Sequence, residues 1–467
     1  MVFLCGTLVS VKEKFQSTLG FFGGVGSVTG ANFLLDTGDL AVLIDCGLIQ
    51  GKRPSADLND RPFPYNPADI DVLVVTHAHT DHIGRIPKLI RDGFRGRIYS
   101  TPPTKDLASV MLRDAHHIMQ LEHEIYDAPL WYEAQHIDAA LALWQTIDYY
   151  EPFLLDDAVT LKLTNAGHIL GSAMVHLTRA ERTLVCTGDV GNVPQPLMAP
   201  PDIPDSCQYL ITESVYGDRV HEGVEERSAK LLHHIEKTRE RGGTLIIPAF
   251  SLERTQSMLY EINDFVELGR IEPLPVFLDS PLAIEVTDIY RRYTSYMKPE
   301  VQSRLETDDD IFSFPGFKAT KTVSQSAQIE SITGPKIIIA GSGMSHGGRI
   351  RSHEQIYLQD PNATLLLVGH QVVGSLGRRL QDGVKEVTID QTTVPVRAEI
   401  ATIQGFSGHA DRDQLLDLIY AGHEQLEQVF VTMGEERSSL FLTQRVHDYI
   451  GVPVCAPGEN EEMVIAL

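Results

Sequence analysis

Short apolar runs separated by glycine turns characterise residues 1–205. Residues 31–36 and 40–45 predict two paired strands around a Thr-Gly-Asp turn, and residues 72–75 predict a strand that is buried on both faces. Residues 104–150 contain no glycine and are rich in Ala, Leu, Glu and Gln, a composition that favours helix. This part of the chain is therefore expected to be a mixed α/β domain.

The pattern changes after a proline-dense segment at residues 194–204, which predicts a domain boundary. Apolar strands then alternate with amphipathic helices, and such alternation predicts a parallel sheet covered on both faces. The predicted strands are residues 209–212, 244–248, 276–279, 336–340 and 363–368. From about residue 394 the pattern of the first part returns. We therefore expect an inserted domain over residues 206–393, flanked by residues 1–205 and 394–467.

The composition indicates a protein of the cytoplasm without a membrane segment. No apolar run is long enough to span a bilayer. Residues 1–10 lack a basic segment and a long apolar core, so they predict a first strand rather than a signal peptide. The five cysteines are scattered and form no C-x-x-C pair, as is typical of a reducing compartment.

The net charge of −24, from 39 basic and 63 acidic residues, argues against nonspecific binding of nucleic acid. Bound metal ions and a few arginines can nevertheless make a cleft locally positive. Affinity for a nucleic acid is then expected to be modest and dependent on salt.

The pattern H-x-H-x-D-H follows the buried strand at residues 72–75. It contains His77, His79, Asp81 and His82, and a helix is predicted to begin directly after it. Imidazole and carboxylate groups suit zinc, and strand alternation lets His77 and His79 point the same way. Asp81 and His82 fall where the chain turns and can face a second ion. Two ions sharing one cluster polarise water and hold a phosphoryl or acyl oxygen.

Two ions need further ligands, which later loops can supply. His168 lies in a glycine-flanked loop between predicted strands; alone it would more often be structural, but the first motif favours a ligand. Asp189 ends a predicted strand, where an aspartate is usually a turn cap, yet its carboxylate can bridge two ions. Asp45 is a weaker candidate, expected to orient a ligand histidine.

Taken together, these motifs resemble those of the β-CASP ribonucleases of the metallo-β-lactamase fold. This family includes the endonuclease subunit of the mRNA 3′-end cleavage machinery and stand-alone bacterial and archaeal relatives. H-x-H-x-D-H is shared with many hydrolases of the fold, whereas the later segments make the resemblance specific. The carrying segments, in the family's order, are residues 76–84, His168, Asp189, and residues 213–217, 248–256, 279–283, 341–349 and 405–411.

The resemblance implies an α/β fold: an αββα sandwich with an inserted parallel-sheet β-CASP domain. It implies that His77, His79 and His168 bind a first zinc ion, that Asp81 and His82 bind a second, and that Asp189 bridges them. A metal-bound hydroxide would then attack the scissile phosphorus. The catalytic residues implied are Asp81, Glu213 and His409; the last two match a carboxylate–histidine pair that protonates the leaving oxygen.

The inserted domain is expected to contribute contacts to the substrate backbone. Glycine-rich turns containing Ser342 and Gly343 offer backbone N–H groups, and Arg349 offers a guanidinium suited to phosphate. Arg254 is a further candidate. A glycine-rich turn alone is weak support, and each arginine could equally be a surface residue.

One position departs from the family pattern. Met433 stands before Gly-Glu, where the family has a histidine that serves the second zinc ion. A thioether is a poor zinc ligand beside imidazole and carboxylate. We expect a weakened second site, or a preference for another divalent ion such as manganese.

The leading hypothesis is a zinc-dependent ribonuclease that hydrolyses single-stranded RNA as an endonuclease, a 5′-exonuclease or both. Two alternatives are a hydrolase of the same fold acting on DNA or another phosphodiester, and an inactive scaffold partner in an RNA-processing complex. The sequence leaves open whether the chain forms a homodimer or joins an RNA-processing partner, and which RNA sequences it prefers.

Overall fold

A computed structural model describes residues 16–50, 55–204, 206–221, 223–307, 310–369, 371–372 and 374–467. The strand predicted within residues 1–10 lies outside this part of the chain. Four cysteines in the described part are buried and form no disulfide bond there: Cys46, Cys186, Cys207 and Cys455.

The strands follow one another in chain order as β1 (Gln16–Gly23), β2 (Asn32–Asp36), β3 (Ala41–Ile44), β4 (Val72–Val74), β5 (Arg97–Ser100), β6 (Trp144–Thr146), β7 (Phe153–Leu154), β8 (Val159–Asn165), β9 (Ala173–Arg179), β10 (Arg182–Cys186), β11 (Tyr209–Thr212), β12 (Thr244–Pro248), β13 (Val276–Leu278), β14 (Phe317–Ala319), β15 (Lys336–Ala340), β16 (Thr364–Val368), β17 (Glu386–Ile389), β18 (Thr392–Pro395), β19 (Glu399–Ile403), β20 (Gln428–Val431), β21 (Val454–Cys455) and β22 (Glu461–Ala466). The α-helices are α1 (Ser55–Asp60), α2 (Thr80–Ile83), α3 (Ile86–Arg91), α4 (Pro102–Tyr126), α5 (Ala134–Leu143), α6 (Val224–Glu240), α7 (Arg254–Glu267), α8 (Pro281–Arg292), α9 (Pro299–Leu305), α10 (Val323–Gln328), α11 (Ile350–Tyr357), α12 (Leu376–Gln381), α13 (Arg412–Ala421) and α14 (Glu436–Tyr449).

The chain forms two compact units. Unit 1 comprises Met1–Val193, Ala199–Val220 and His409–Leu467, and unit 2 comprises Pro194–Met198 and His221–Gly408.

Unit 1 is built on two seven-stranded sheets that face each other. The first has the order β22-β1-β2-β3-β4-β5-β6, and the second has the order β21-β20-β11-β10-β9-β8-β7. Side chains from both sheets form one buried core, including Phe33 and Val74 from the first and Leu177 and Phe430 from the second. Each Leu, Val or Phe so buried contributes about 1.5–3 kcal/mol.

Helices cover the outer faces of this sandwich. Helices α3, α4 and α5 pack together beside β5 and β6, and α13 and α14 pack on β20 and β21 through a second apolar cluster. Unit 1 is thus an αββα sandwich, which confirms the expected fold class. Strand β4 is central in its sheet and buried along its length, so its carboxyl end is a rigid support for the residues that follow it.

Unit 2 contains the expected parallel sheet, with the order β14-β13-β15-β12-β16-β19 and a separate β17-β18 hairpin. All pairs in the larger sheet are parallel. Its four inner strands, β13, β15, β12 and β16, are buried at every position, because helices connect successive parallel strands and cover the faces.

The structural boundaries differ from the expected divisions at residues 205 and 394. Strand β11, predicted to open the inserted domain, pairs with β10 and β20 in the second sheet of unit 1. Strand β19 pairs with β16 at the edge of the parallel sheet of unit 2. The divisions therefore fall at residues 220 and 408, apart from the short segment Pro194–Met198.

No helix in the described part of the chain is long and apolar enough to cross a membrane.

Candidate active site

The H-x-H-x-D-H segment lies in the loop that joins β4 to α2. The strand ends at Val74, and His79 is the residue that precedes the first turn of α2. His77 is fully buried and His79 is half-buried. The Nε2 atom of His77 lies 3.1 Å from Nδ1 of His79, so both rings point at a common centre.

His168 and Asp189 complete a first group of potential metal ligands. The Nε2 atom of His168 lies 3.2 Å from Nδ1 of His79, and Oδ2 of Asp189 lies 3.4 Å from His77 Nε2 and 3.6 Å from His168 Nε2. Four ligands placed tetrahedrally at zinc bond lengths are about 3.3 Å apart. These separations, together with that between His77 and His79, are therefore close to those of a tetrahedral metal site.

A second group is formed by Asp81, His82 and the other oxygen of Asp189. Asp189 Oδ1 lies 3.3 Å from His82 Nε2, and Oδ2 of Asp81 lies 4.0 Å from the same nitrogen. Asp189 thus offers one carboxylate oxygen to each group, the geometry of a bridging ligand.

Two buried atoms in this cluster make no hydrogen bond within the described part of the chain: His82 Nε2 and Asp189 Oδ1. A buried polar atom left in this state costs about 1–3 kcal/mol, which coordination to a cation would remove. Burial, together with the neighbouring imidazoles, holds the pKa values of His77 and His79 well below their usual range. These rings are therefore neutral, as metal ligands must be. The residues fit a pair of metal ions.

Asp45 contacts the ring nitrogen of His82 that faces away from the candidate metal ligands. Its buried carboxylate lies 2.7 Å from His82 Nδ1 and accepts hydrogen bonds from Thr76 N (2.8 Å) and Thr76 Oγ1 (2.7 Å). Asp189 and Asp45 outweigh burial and raise the pKa of His82 well above its usual range. With Nδ1–H donated to Asp45, a cation that displaces the other proton would meet the lone pair of Nε2 directed at the cluster. The orienting contact expected for Asp45 is present in the structure.

The ligands outside the first motif are positioned by the second sheet. His168 lies between β8 and β9, where Ser172 Oγ accepts hydrogen bonds from the backbone N–H groups of His168 and Ile169. Asp189 follows β10 after Gly188, whose φ is +56°. A Cβ on Gly188 would lie 2.7 Å from the Cβ of Thr76, so only glycine permits this approach of the two loops.

Glu213 and His409 form a pair beside the metal ligands. Oε1 of Glu213 lies 3.2 Å from Nδ1 of His409 and accepts a hydrogen bond from Val190 N at 2.7 Å. Burial opposes protonation of His409, but Glu213 and then Asp189 outweigh it and raise the pKa of the ring to about 9. His409 Nδ1 is also 3.8 Å from Asp189 Oδ2, so this pair adjoins the bridging carboxylate.

Met433 is packed in the core of unit 1. Its side chain is 2% exposed, and its sulfur lies so close to Gly24 that a Cβ on that glycine would clash with it. Ala31 also contacts that point, and its backbone N–H donates to the carbonyl of Asp81 at 3.0 Å. Met433 therefore packs in an apolar setting, and the backbone of Ala31 lies between it and the loop that contains Asp81.

The four residues expected to contact substrate lie in unit 2, and both arginines have partners within that unit. Arg349 forms an ion pair of 2.7 Å with Asp279 and donates to the carbonyls of Thr320 and Lys321. Arg254 is buried and donates to the Val368 carbonyl.

The two other expected contact residues, Ser342 and Gly343, lie in the turn that follows β15. The Ser342 hydroxyl accepts hydrogen bonds from the backbone N–H groups of His346 and Gly347 at 3.0 and 3.2 Å, respectively.

Asp279, which the sequence singled out only as part of a motif, is the centre of a network in unit 2. It accepts hydrogen bonds from Thr320, Ser326 and Arg349 and lies 2.7 Å from His353 Nε2. This network fastens the turn after β15 to the neighbouring strands. The only signal in the sequence was an aspartate at the end of a predicted strand.

Comparison with known families divides the chain in the same order as the fold. Residues 34–192 match a metallo-β-lactamase superfamily domain, and residues 255–380 match the β-CASP domain. Residues 393–457 match the RNA specificity domain of zinc-dependent metallo-hydrolases.

The similar proteins include a ribonuclease of Thermus thermophilus that is 36% identical over 90% of this chain and 94% of its own length. Transcription termination factor FttA of Methanocaldococcus jannaschii is 32% identical over 92% of this chain and 69% of its length. An RNase J-like protein of the same organism is 30% identical over 94% of this chain and 97% of its length.

A protein of unknown function from Enterococcus faecalis, solved by crystallography, shares the fold with a TM-score of 0.58 at 12% identity. The match covers 96% of this chain and 100% of that chain. With the three domain matches and the full-length relatives, the motif order and the paired ligand groups lead to one conclusion. The chain is a metal-dependent hydrolase and belongs to the β-CASP ribonucleases of the metallo-β-lactamase superfamily.

Proposed function

We propose that this protein is a zinc-dependent ribonuclease that hydrolyses phosphodiester bonds of single-stranded RNA. The observation that carries the proposal is the sharing of Asp189 between two ligand groups, with the Glu213–His409 pair directly beside it. A nuclease needs all of these parts, because it must stabilise a developing phosphoryl charge and protonate a leaving oxygen.

His77, His79, His168 and Asp189 would hold the first ion, and Asp81, His82 and Asp189 would hold the second. When bound, such ions lower the pKa of water and stabilise negative charge on phosphoryl oxygens. The donor set is nitrogen and oxygen only, which suits zinc and also accommodates manganese.

The side chains of the protein itself would supply the proton that the leaving oxygen needs. Glu213 is held by the backbone N–H groups of Val190 and Val215, so its carboxylate has a fixed orientation. The Nδ1–H of His409 points at this carboxylate, which keeps the ring oriented and protonated. The Nε2–H of His409 is then the proton delivered to the leaving ribose oxygen.

RNA as the substrate is supported by the relatives, which include a ribonuclease and an RNase J-like protein, and by the match to an RNA specificity domain. The net charge of −24 is consistent with modest affinity that depends on the ions.

The test is cleavage of a 5′-labelled unstructured RNA by the purified protein with added zinc, beside the His79→Ala variant. The matched control is His117→Ala, which removes an exposed histidine from α4. We expect cleavage by the parent and the control, and none by His79→Ala. The product ladder separates internal cleavage from stepwise removal of 5′ nucleotides, and a DNA strand of the same sequence tests the sugar preference.

Cleavage that persists in His79→Ala would contradict the proposal, because the first ligand group would then be dispensable. Absence of cleavage by all three proteins, with zinc and with manganese at low salt, would favour the scaffold alternative.

A further inference from the structure

The carboxyl edge of the parallel sheet in unit 2 carries an exposed aromatic ring that the site in unit 1 does not use. In open parallel sheets, ligands bind at the edge where the strands end. Strands β12, β13 and β15 end here in turns at residues 249–253, 279–280 and 341–343, respectively. The inference drawn from this edge rests on the proposed function, since it concerns how the same RNA is bound.

Phe250 is the ring in question. It follows β12 by two residues, and 46% of its surface is exposed, whereas its neighbours Ala249 and Leu252 are buried. A single exposed apolar side chain is ordinary on a protein surface, so the case for Phe250 depends on where its ring lies and how it is held.

The ring is held rigidly by the turn after β15. A Cβ on Gly343 would lie 2.9 Å from Cδ2 and 3.0 Å from Cε2 of Phe250, so the ring lies directly against the glycine backbone. Gln371, itself buried, donates a hydrogen bond to the Gly343 carbonyl at 3.1 Å and fixes the turn. A ring held in this way loses little entropy when a second flat group stacks on it.

The turns at this edge of the sheet carry hydroxyl groups. Ser251 Oγ and Ser280 Oγ are 3.4 Å apart, and they lie 3.6 and 3.7 Å, respectively, from the Cβ position of Gly341. Ser342 is the next residue of the same turn. Hydroxyls can donate to phosphate or ribose oxygens but do not read a base sequence. These turns therefore offer polar groups beside the exposed ring.

From this arrangement we propose that Phe250 is a stacking platform for one unpaired base of single-stranded RNA, with the hydroxyls of Ser251 and Ser280 contacting the adjacent backbone. Every base has a flat face, so the platform binds single strands without strong sequence preference. Bases inside a duplex are already stacked, so duplex RNA is excluded. Arg254 and Arg349 instead hold the surrounding turns, because their guanidinium groups are paired within unit 2.

The test measures binding separately from cleavage. Full-length protein carrying His79→Ala is titrated with a fluorescent oligouridine, and dissociation constants are compared with and without Phe250→Ala. Loss of one stacked base is expected to weaken binding about 5- to 100-fold. Phe250→Trp is expected to restore it, because an indole also stacks. Stacking releases no counterions, so the slope of affinity against salt is expected to stay unchanged.

The control is Tyr420→Ala, which removes a ring of 59% exposure from α13 in unit 1 and is expected to leave binding unchanged. Circular dichroism confirms that each variant is folded.

Equal binding with and without Phe250 would overturn this inference while leaving the proposed nuclease intact. Equal weakening of single-stranded and duplex RNA, or failure of tryptophan to restore affinity, would also overturn it. Weakened binding in a protein that never cleaves RNA would support the platform and contradict only the proposed function.

Discussion

The replacement Asp45→Asn tests whether a buried carboxylate determines which nitrogen of His82 faces the metal centre. In the parent, Oδ2 of Asp45 accepts from Thr76 Oγ1 and lies 2.7 Å from His82 Nδ1. An asparagine keeps the shape, and its Oδ1 can still accept from Thr76 N. Its amide nitrogen, however, replaces the acceptor that faces His82.

A donor in that position favours the other tautomer of the ring, with the proton on His82 Nε2. A protonated Nε2 cannot bind a metal ion until the ring rotates or the hydrogen bond is broken. Loss of an orienting partner behind a metal ligand typically costs 10- to 100-fold in affinity. We therefore expect the second ion to bind about 10- to 100-fold more weakly, which equals about 1.4–2.8 kcal/mol.

The assay is competition with a chelator of known affinity, read as ions bound per chain for the parent, Asp45→Asn and Asp39→Asn. Asp39 is the matched control, since its side chain is 87% exposed and makes only a 3.9 Å ion pair with Arg179 in the structure. The first ion should bind equally in all three proteins. An Asp45→Asn protein that holds both ions as tightly as the parent would refute the reasoning.

Three further predictions concern single residues. Glu213→Gln and His409→Ala should each lower the cleavage rate by about 100- to 10,000-fold with unchanged ion content; loss of an ion would instead make them ligands. Met433→His should tighten the second ion in chelator competition if the missing imidazole is what weakens that site, whereas unchanged affinity would exclude this explanation. Burial raises the pKa of Glu354 from its ordinary value of 4.5 to about 8. The contribution of this carboxyl to the free energy of unfolding is therefore fully present below pH 4.5 and is lost as the pH rises to about 8. Glu354→Gln should then raise the free energy of unfolding by about 2–5 kcal/mol at pH 8 and by little at pH 5, measured by denaturant unfolding; equal effects at both pH values would contradict the raised pKa.

The grouping of the candidate ligands nearest in sequence can be predicted because it depends on one local element. His77, His79, Asp81 and His82 follow a buried strand directly, so strand geometry and ligand chemistry suffice to group them. The more distant His168 could be placed with them only through the family's motif order. The distance of 3.2 Å between His168 and His79 comes from sheet packing, which no local pattern encodes.

Sheet membership was the part of the fold that the sequence could not decide. Strand β11 is buried at all four positions because it lies between two parallel neighbours, β10 and β20. That pattern is the same for any central parallel strand, so it does not show which sheet the strand joins. Strand β19 is buried only at Ala401 and Ile403 because it lies at an edge of the parallel sheet, so its sequence resembles that of a half-buried strand of the first domain.

The use of charged side chains was equally hidden from the sequence. Arg254 and Arg349 looked like candidates for phosphate contacts, yet the structure pairs both within unit 2. The local sequence around an arginine in a glycine-rich segment is the same whether the guanidinium binds an internal carboxylate or a ligand. The exposure of Phe250, by contrast, cannot be predicted from the sequence, because an exposed phenylalanine cannot be distinguished from a buried one before the fold is known.

The central claim is that one bridged pair of ion sites performs the hydrolysis of RNA. The most direct measurement is a titration of zinc into the metal-free protein, in which native mass spectrometry counts bound ions while cleavage of the labelled RNA is followed in the same samples. The account predicts that cleavage is absent without ions, rises with their binding to the parent and stays absent in His79→Ala. Cleavage by the ion-free protein, or cleavage unrelated to the number of ions bound, would contradict it.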